Sequence, residues 1–445
     1  MTQILPPRFE AASTVADVFI IGGGPAGATA ATLLAQHGRS VVLADKDQHP
    51  RFHIGESLLP ASMRLFQRLG VAERLAEIGV AKYAAEFVSQ YHGRTETFAF
   101  ARALDPSQPY SYQVPRAEFD HLLLSNAEEK GAVIHQGTRV QRSERDAATG
   151  LWTIEASCNG QALQWQAKFV IDASGRDTFF ANQRQWKQKN PDHTSAALYA
   201  HYRGAARAEG QSGGYTQLYW FAHGWFWAIP LPGGVTSIGA VCWPYYLKSR
   251  KVSVEQFFAD TIAMAPDLAA RLEGAERCTE VTATGNYSYS CRQSHGEGFL
   301  LIGDAYSFID PLFSTGVLLA TESAALAADR VHQLLDAPEQ ASALLAEHKA
   351  KIDRAMADFT WLVYRMPSPI MRDLMMRPDN KITHPKAILA KSAVVSLLAG
   401  DVFSETTQQM YRHFRTFKLV YWLGCLLQPL RWWRHRQHRK AFLSG

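Results

Sequence analysis

The stretch Asp17-Val-Phe-Ile-Ile-Gly-Gly-Gly-Pro-Ala-Gly27, continued by Val41-Val-Leu-Ala-Asp45, decides how the chain is read. Val18 to Ile21 form an uninterrupted apolar run, as in a parallel strand buried on both faces. Gly22, Gly24 and Gly27 then fall at the G-x-G-x-x-G spacing, and an Ala- and Leu-rich segment predicts a helix to Gly38. A second apolar run, Ser40 to Leu43, predicts the next strand. This order is the logic of dinucleotide binding. Gly22 permits a tight turn, Gly24 lets the backbone approach a pyrophosphate with Ala26 beside it, and Gly27 lets helix and strand pack closely. The helix start offers unpaired N–H groups and a partial positive charge to phosphate. Asp45 stands about 20 residues after the glycines, where a carboxylate accepts from ribose hydroxyls.

With 445 residues, 47% hydrophobic and 20% charged, the chain predicts a globular protein of two to three domains. A formal net charge of +5 is too small to argue for nucleic acid. The five cysteines (Cys158, Cys242, Cys278, Cys291, Cys425) include no C-x-x-C pair, so neither a disulfide framework nor a metal site is expected. No leader pattern opens the chain, and no apolar run is long enough to span a bilayer. A cytoplasmic protein is the expectation, with peripheral membrane contact left open by the C-terminus.

Beyond Asp45, the polar loop Gln48-His-Pro-Arg51-Phe-His-Ile-Gly-Glu-Ser57 leads into a helical pattern. Lys82 follows where a helix gives way to an extended run; by itself such a lysine is a solvated surface residue. Alternating segments from 86 to 114 predict antiparallel strands. Arg116 opens a helix, and Ile171-Asp172-Ala-Ser-Gly175 ends a second buried strand in small residues. Residues 195–243 predict a sheet that contains Gly224-Trp225-Phe-Trp227-Ala-Ile-Pro230. Strand period puts Trp225 and Trp227 on one face, and composition alone would make this a core strand. Phe299-Leu-Leu-Ile-Gly303-Asp304 ends another buried strand. It runs through Phe313-Ser314-Thr315-Gly316 into an Ala-rich helix whose first amides could cradle an anion. Residues 341–445 are helical between prolines. The segment 417–440 joins an apolar, aromatic run to a basic, Trp-bearing one, which reads as a packed helix with a solvated tail or as a surface for an anionic membrane or acidic partner.

Four of these stretches resemble the flavin-dependent monooxygenases of the para-hydroxybenzoate hydroxylase type: the glycine fingerprint, the Arg116 helix, Asp172 to Gly175, and Gly303-Asp304. Three more resemble flavin-dependent halogenases: Trp225-Phe-Trp227-Ala-Ile-Pro230, Phe308-Ile-Asp-Pro-Leu-Phe313-Ser314-Thr315-Gly316, and Lys82. The family often carries Gly two places after that lysine, where this chain has Ala84. The resemblance implies an α/β fold: an FAD-binding Rossmann-like module over 1–340, an interleaved antiparallel substrate sheet (about 86–115 and 190–290), and a helical region over 341–445. It implies that Gly22, Gly24, Ala26, Gly27, Asp45, Arg51, Ser57, Arg116, Asp172, Gly303 and Asp304 bind FAD. Ser314, Thr315 and Gly316 would hold chloride or bromide, and Trp225, Trp227 and Phe313 would part flavin from substrate. Lys82 would be catalytic, either donating a hydrogen bond to hypohalous acid or carrying halogen as a haloamine.

The implied activity uses reduced FAD, O2 and halide to halogenate an electron-rich phenol or pyrrole in natural-product biosynthesis. A separate flavin reductase would supply the reduced cofactor, and the substrate would be free or tethered to an acyl carrier protein. Phe313 carries the leaning away from tryptophan, because tryptophan halogenases have Glu at that place. An FAD-dependent aromatic hydroxylase or prenyl reductase is the alternative on the same fold, and a flavin-binding protein without catalysis is a third. The hydroxylase or reductase reading leaves Lys82 and the tryptophan pair unexplained, and no FAD or halide motif is visibly broken, as a protein without catalysis would allow.

Overall fold

The computed structural model describes residues 10–11, 15–191, 194–285, 288–404 and 406–444. Strand β1 (Ala16–Ile21) feeds helix α1 (Pro25–Gln36), which returns to strand β2 (Val41–Ala44). Further along lie β3 (Val80–Lys82), β4 (Ala84–Ser89), β5 (Arg94–Ala99), β6 (Ser111–Gln113), helix α2 (Arg116–Glu129), β7 (Val133–His135) and β8 (Gln161–Asp172). Strands β9 (Ala196–Arg203), β10 (Thr216–Phe221), β11 (Gly224–Pro230), β12 (Val235–Cys242) and β13 (Phe299–Leu301) follow. The chain ends in α3 (Thr315–Asp336), α4 (Ala341–Val363), α5 (Pro369–Met375), α6 (Pro385–Leu398), α7 (Thr407–Leu427) and α8 (Pro429–Ser444).

The first sheet has the parallel order β13-β8-β1-β2-β7 at its centre. Its strands are apolar on both faces because both are covered, Val18 and Ile20 by helices and Phe19 by Trp165 from the far end of β8: all three of these strand residues have no exposed surface. Against one face α1 lies on α3. Ala28, Ala30 and Ala31 of α1 and Ala324, Ala327 and Ala328 of α3 are fully buried, and such short side chains let helices pack closely.

The second sheet is drawn from two distant segments. The β4–β5 hairpin joins β9 to β12 through a parallel pairing of β4 with β10, Phe87 opposite Leu218. Ser111–Gln113 leaves this sheet and pairs antiparallel with β3, setting Lys82 opposite Ser111. On β11 the alternation holds. Trp225 and Trp227 face the main core, while Phe226 packs with Phe221, Ile238 and Phe258 on the other side. Each such buried aromatic contributes on the order of 1.5–3 kcal/mol relative to exposure.

The C-terminal helices wrap the edge of this core. Pro369, Pro385 and Pro429 take the first position of α5, α6 and α8, where a missing N–H costs nothing. Helix α7 buries Met410, Phe414, Phe417 and Tyr421, and Trp361 of α4 meets the last three rings edge-on. Its opposite face stays uncovered.

Candidate active site

A cleft of about 900 Å³ opens along the carboxyl ends of β1 and β2 and runs under β11 to the start of α3. Local chemistry explains its floor. Gly22 has φ +103°, and a Cβ there would lie 2.5 Å from the Ala173 carbonyl oxygen. A Cβ on Gly27 would come within 1.8 Å of the Gly22 oxygen, so α1 can sit this close to β1 only through glycine. Gly24 instead faces the cleft, with Arg51 Nη2 3.7 Å from where a Cβ would stand. No side chain caps the first amides of α1. Asp45 closes β2, accepting from the N–H of Gly23 (2.5 Å) and of Asp47 (2.8 Å). Burial pushes its carboxyl up, but His49 and those two amides outweigh burial and hold it below the usual range.

Arg51, Arg116 and Arg176 bring guanidinium groups to the same space. Arg116 opens α2 and forks onto Asp120 (Nε to Oδ1 2.7 Å, Nη2 to Oδ2 2.9 Å), a bidentate geometry that fixes its plane. Its Nη1 donates to the Ile54 and Gly55 carbonyls at 3.0 and 3.2 Å, clamping the loop before Ser57. Arg51 lies 3.4 Å from Asp120 Oδ2. Across the cleft, Arg176 sits over the Phe308 ring at 5.5 Å and donates to Thr284 Oγ1 at 2.8 Å. Burial pushes Asp304 up to about 6, with Arg176 and Arg116 pulling the other way.

These residues fit FAD. An uncapped helix start, a bare Gly24 and guanidinium groups on two walls suit a pyrophosphate, and Asp45 and Asp304 on the cleft lining would serve as acceptors for hydroxyls. Glu56 adds an open acceptor: Oε1 binds His201 Nε2 at 2.7 Å, while the buried Oε2 has no partner among the described residues. Sequence reading passed over Glu56, Asp120 and Arg176. Glu56 had a visible signal, as the acid between Gly55 and Ser57 in the quoted loop. Asp120 and Arg176 had only their neighbours Arg116 and Gly175.

Of the residues expected from sequence, Gly22, Gly24, Ala26, Asp45, Arg51, Ser57, Arg116, Trp225, Trp227, Asp304, Ser314 and Gly316 line the cleft. Gly27, Lys82, Asp172, Gly303, Phe313 and Thr315 do not line it. Asp172 is fully buried and accepts from the N–H of Ser174 (3.0 Å) and Phe180 (2.8 Å), so it braces the turn whose residues 173–177 face the cleft. Gly303 has φ +56° and donates to Ser323 Oγ at 2.9 Å. Ser314 precedes α3 at φ +58° without capping it, and a Cβ on Gly316 would meet nothing within 4 Å.

Lys82 sits one layer behind the wall. It is 2% exposed; Nζ donates to Ser57 Oγ at 2.9 Å and to the Leu58 carbonyl at 3.0 Å, with the Phe100 ring at 5.2 Å. Ser57 Oγ is 3.2 Å from Thr216 Oγ1, which accepts from Gln113 Nε2 at 2.6 Å, and both Ser57 and Thr216 reach the cleft. No carboxylate among the described residues pairs with the amine, and burial pushes it down to about 7. Beside it stands an aromatic wall. Trp220 opposes Trp225 across the strands, Phe87 stacks on Trp220 at 5.2 Å, and Phe313 meets Phe87 edge-on at 6.5 Å. The arrangement can hold a large anionic cofactor on one side of the tryptophans and present a buried amine through a single hydroxyl.

Comparison with known proteins shows the family. Residues 15–381 match the family described as FAD binding domain. The chain is 33% identical over 327 residues to a tryptophan 2-halogenase of Chondromyces crocatus, covering 72% of this chain and 61% of that protein's length. It is 32% identical to flavin-dependent halogenase armH5 of Armillaria mellea, covering 78% of this chain and 70% of that one. A 1H-pyrrole-2-carbonyl-[peptidyl-carrier protein] chlorinase of Pseudomonas fluorescens is 27% identical over 87% of this chain and 90% of its own. Among solved structures, the myxobacterial chondrochloren halogenase CndH is 28% identical with a TM-score of 0.75, covering 93% of this chain and 96% of that one.

Proposed function

The chain belongs to the flavin-dependent halogenases, and from that premise we propose that it halogenates an electron-rich phenol or pyrrole. The observation that carries the reading is Lys82: a buried amine without a carboxylate, tied to the cleft through Ser57. FAD, when bound and reduced, supplies the oxygen activation that turns halide into hypohalous acid. Gly22, Gly24, Asp45, Arg51, Arg116 and Asp304 would hold it.

The chain's own residues do the rest. Ser314 and the uncapped first amides of α3 offer donors to chloride or bromide at the cleft wall, with Gly316 leaving room beside them. Trp225 and Trp227 keep the substrate ring away from the flavin side, so oxygen is passed to halide and not to the ring. At neutral pH a large share of Lys82 is the free amine. In that form it accepts a proton, or takes the halogen of hypohalous acid as the halogen–oxygen bond breaks, an amine proton and the hydroxide leaving together as water; as the ammonium it donates to the oxygen of hypohalous acid. Phe313 brings no carboxylate to this wall, which suits rings reactive enough to attack without a base.

The carrier-protein reading rests on the chlorinase relative, and a separate flavin reductase would deliver the reduced cofactor. Peripheral membrane contact by 417–440 belongs to the same reading; no helix among the described residues is long and apolar enough to cross a membrane. The test is incubation with flavin reductase, NADH, FAD and chloride or bromide. Phenols and pyrroles, free and carrier-bound, serve as substrates, with products read by isotope pattern. Hydroxylated products without halogen would replace this reading with the hydroxylase one.

A further inference from the structure

The C-terminal helices carry the chain's charge asymmetry. Of 46 Lys and Arg, eight lie in residues 406–445, and none of the 41 Asp and Glu does, so the rest of the chain carries a formal −3. Arg431 pairs with Asp373 at 2.8 Å and Lys418 with Asp358 at 2.8 Å, both on the body. Arg412, Arg415 and Arg434 are exposed with no carboxylate partner among the described residues.

Between these cations runs an apolar stripe. Leu419, Leu423 and Leu426 recur at helical spacing on the face of α7 that looks away from the core, Leu427 lies beside them, and Leu430 and Trp433 are exposed on α8 just past the break at Gln428. They are bare: Leu426 is 75% exposed, Leu427 82% and Leu430 71%. Buried positions on the same helix (Met410, Phe414, Phe417, Tyr421) already satisfy its packing, so the outer stripe is not needed for the fold. Contiguous exposed aliphatic surface of this kind marks an interaction site.

We propose that α7 and the first turns of α8 form a docking surface for an anionic bilayer, with leucines in the acyl boundary and arginines at headgroup level. The proposal deepens the peripheral contact within the proposed function. Charge decides the occupant. Two copies meeting on this face would bring unpaired arginines together, whereas anionic headgroups answer them around an apolar centre. Helix α5 joins this surface to the site: Ile370 packs on Gly424, Asp373 holds Arg431, and the Arg372 guanidinium lies over the Trp220 ring at 5.4 Å. Docking would therefore bring the outer side of the aromatic wall to the lipid interface.

Flotation of the purified full chain with phosphatidylcholine vesicles, with and without phosphatidylglycerol, tests this. Binding is expected with phosphatidylglycerol, weakened by salt and lost without the anionic lipid. The double variant Leu426→Glu/Leu427→Glu should abolish it. Arg434→Ser/Arg436→Ser should weaken it about tenfold or more. Retained FAD absorbance and halogenation of a water-soluble phenol by both variants would show that folding and the halogenase reading stand independently. Flotation unaffected by these changes, sedimentation showing a dimer that the leucine variant dissociates, or binding only to an acidic carrier protein would each overturn the proposal.

Discussion

Lys82 Nζ donates to Ser57 Oγ at 2.9 Å, and Ser57, not the lysine, is the residue that reaches the cleft. The hydroxyl is thus the gate between cofactor side and amine. Ser57→Ala should keep FAD, since the pyrophosphate-side groups are untouched, yet lower halogenated product per turnover about tenfold, the scale of one hydrogen bond to a charged group. Product measured against O2 consumed checks this; an unchanged ratio would remove Ser57 from the path.

Lys82→Ala is expected to separate the two half-reactions completely. FAD binding and NADH-driven O2 uptake through the reductase should persist, while halogenated product disappears. Normal product from this variant would end the assignment.

The amine's titration predicts two pH effects. Halogenation should change through about pH 7 while flavin oxidation does not, because Lys82 changes protonation there. Stability should follow a defined sign as well. Lys82 is held near 7 in the folded chain, while an unfolded lysine titrates near about 10.4. Between those values the unfolded state binds the extra proton, so this site's penalty is full below 7 and fades as pH rises toward 10. Urea unfolding of the natural chain and Lys82→Met at about pH 6 and about pH 9 should show the variant gaining more at the lower pH. An equal gain at both would refute it.

Gly316→Val probes the halide loop. A Cβ there meets no protein atom, so the folded chain should keep its melting temperature within a few degrees, less the small cost of a β-branched residue in a first helical turn. The new side chain instead fills cleft space beside Ser314, and the halide concentration for half-maximal product should rise sharply. An unchanged halide dependence would move the site elsewhere.

Competition tests the substrate class. With a phenol or pyrrole and tryptophan in one tube, the enzyme should halogenate the former and leave tryptophan untouched. Phe313 is buried against Phe87 and supplies no base. Efficient tryptophan halogenation would reverse the reading and align this chain with its 2-halogenase relative.

Short-range signals determined much of this protein on their own. The run from Val18 to Asp45 dictated strand, turn, helix and strand, because glycine spacing and apolar periodicity act within a few residues. Period two alone separated Trp225 and Trp227 from Phe226. Tertiary structure decided what needed distant partners. Lys82 reads as a surface residue until β3 pairs with β6 and the loop at Ser57 closes over it, and that burial pushes its amine down. Asp172 reads as a ligand-facing acid until Phe180 returns to claim its second oxygen. The leucines from 419 to 430 could have been core. Only the packing of Phe414, Phe417 and Tyr421 against Trp361 fixed which face of α7 turns outward, because its uncharged stretch from Leu419 to Leu427 is apolar all round and carries no record in its sequence of the side its neighbours will cover.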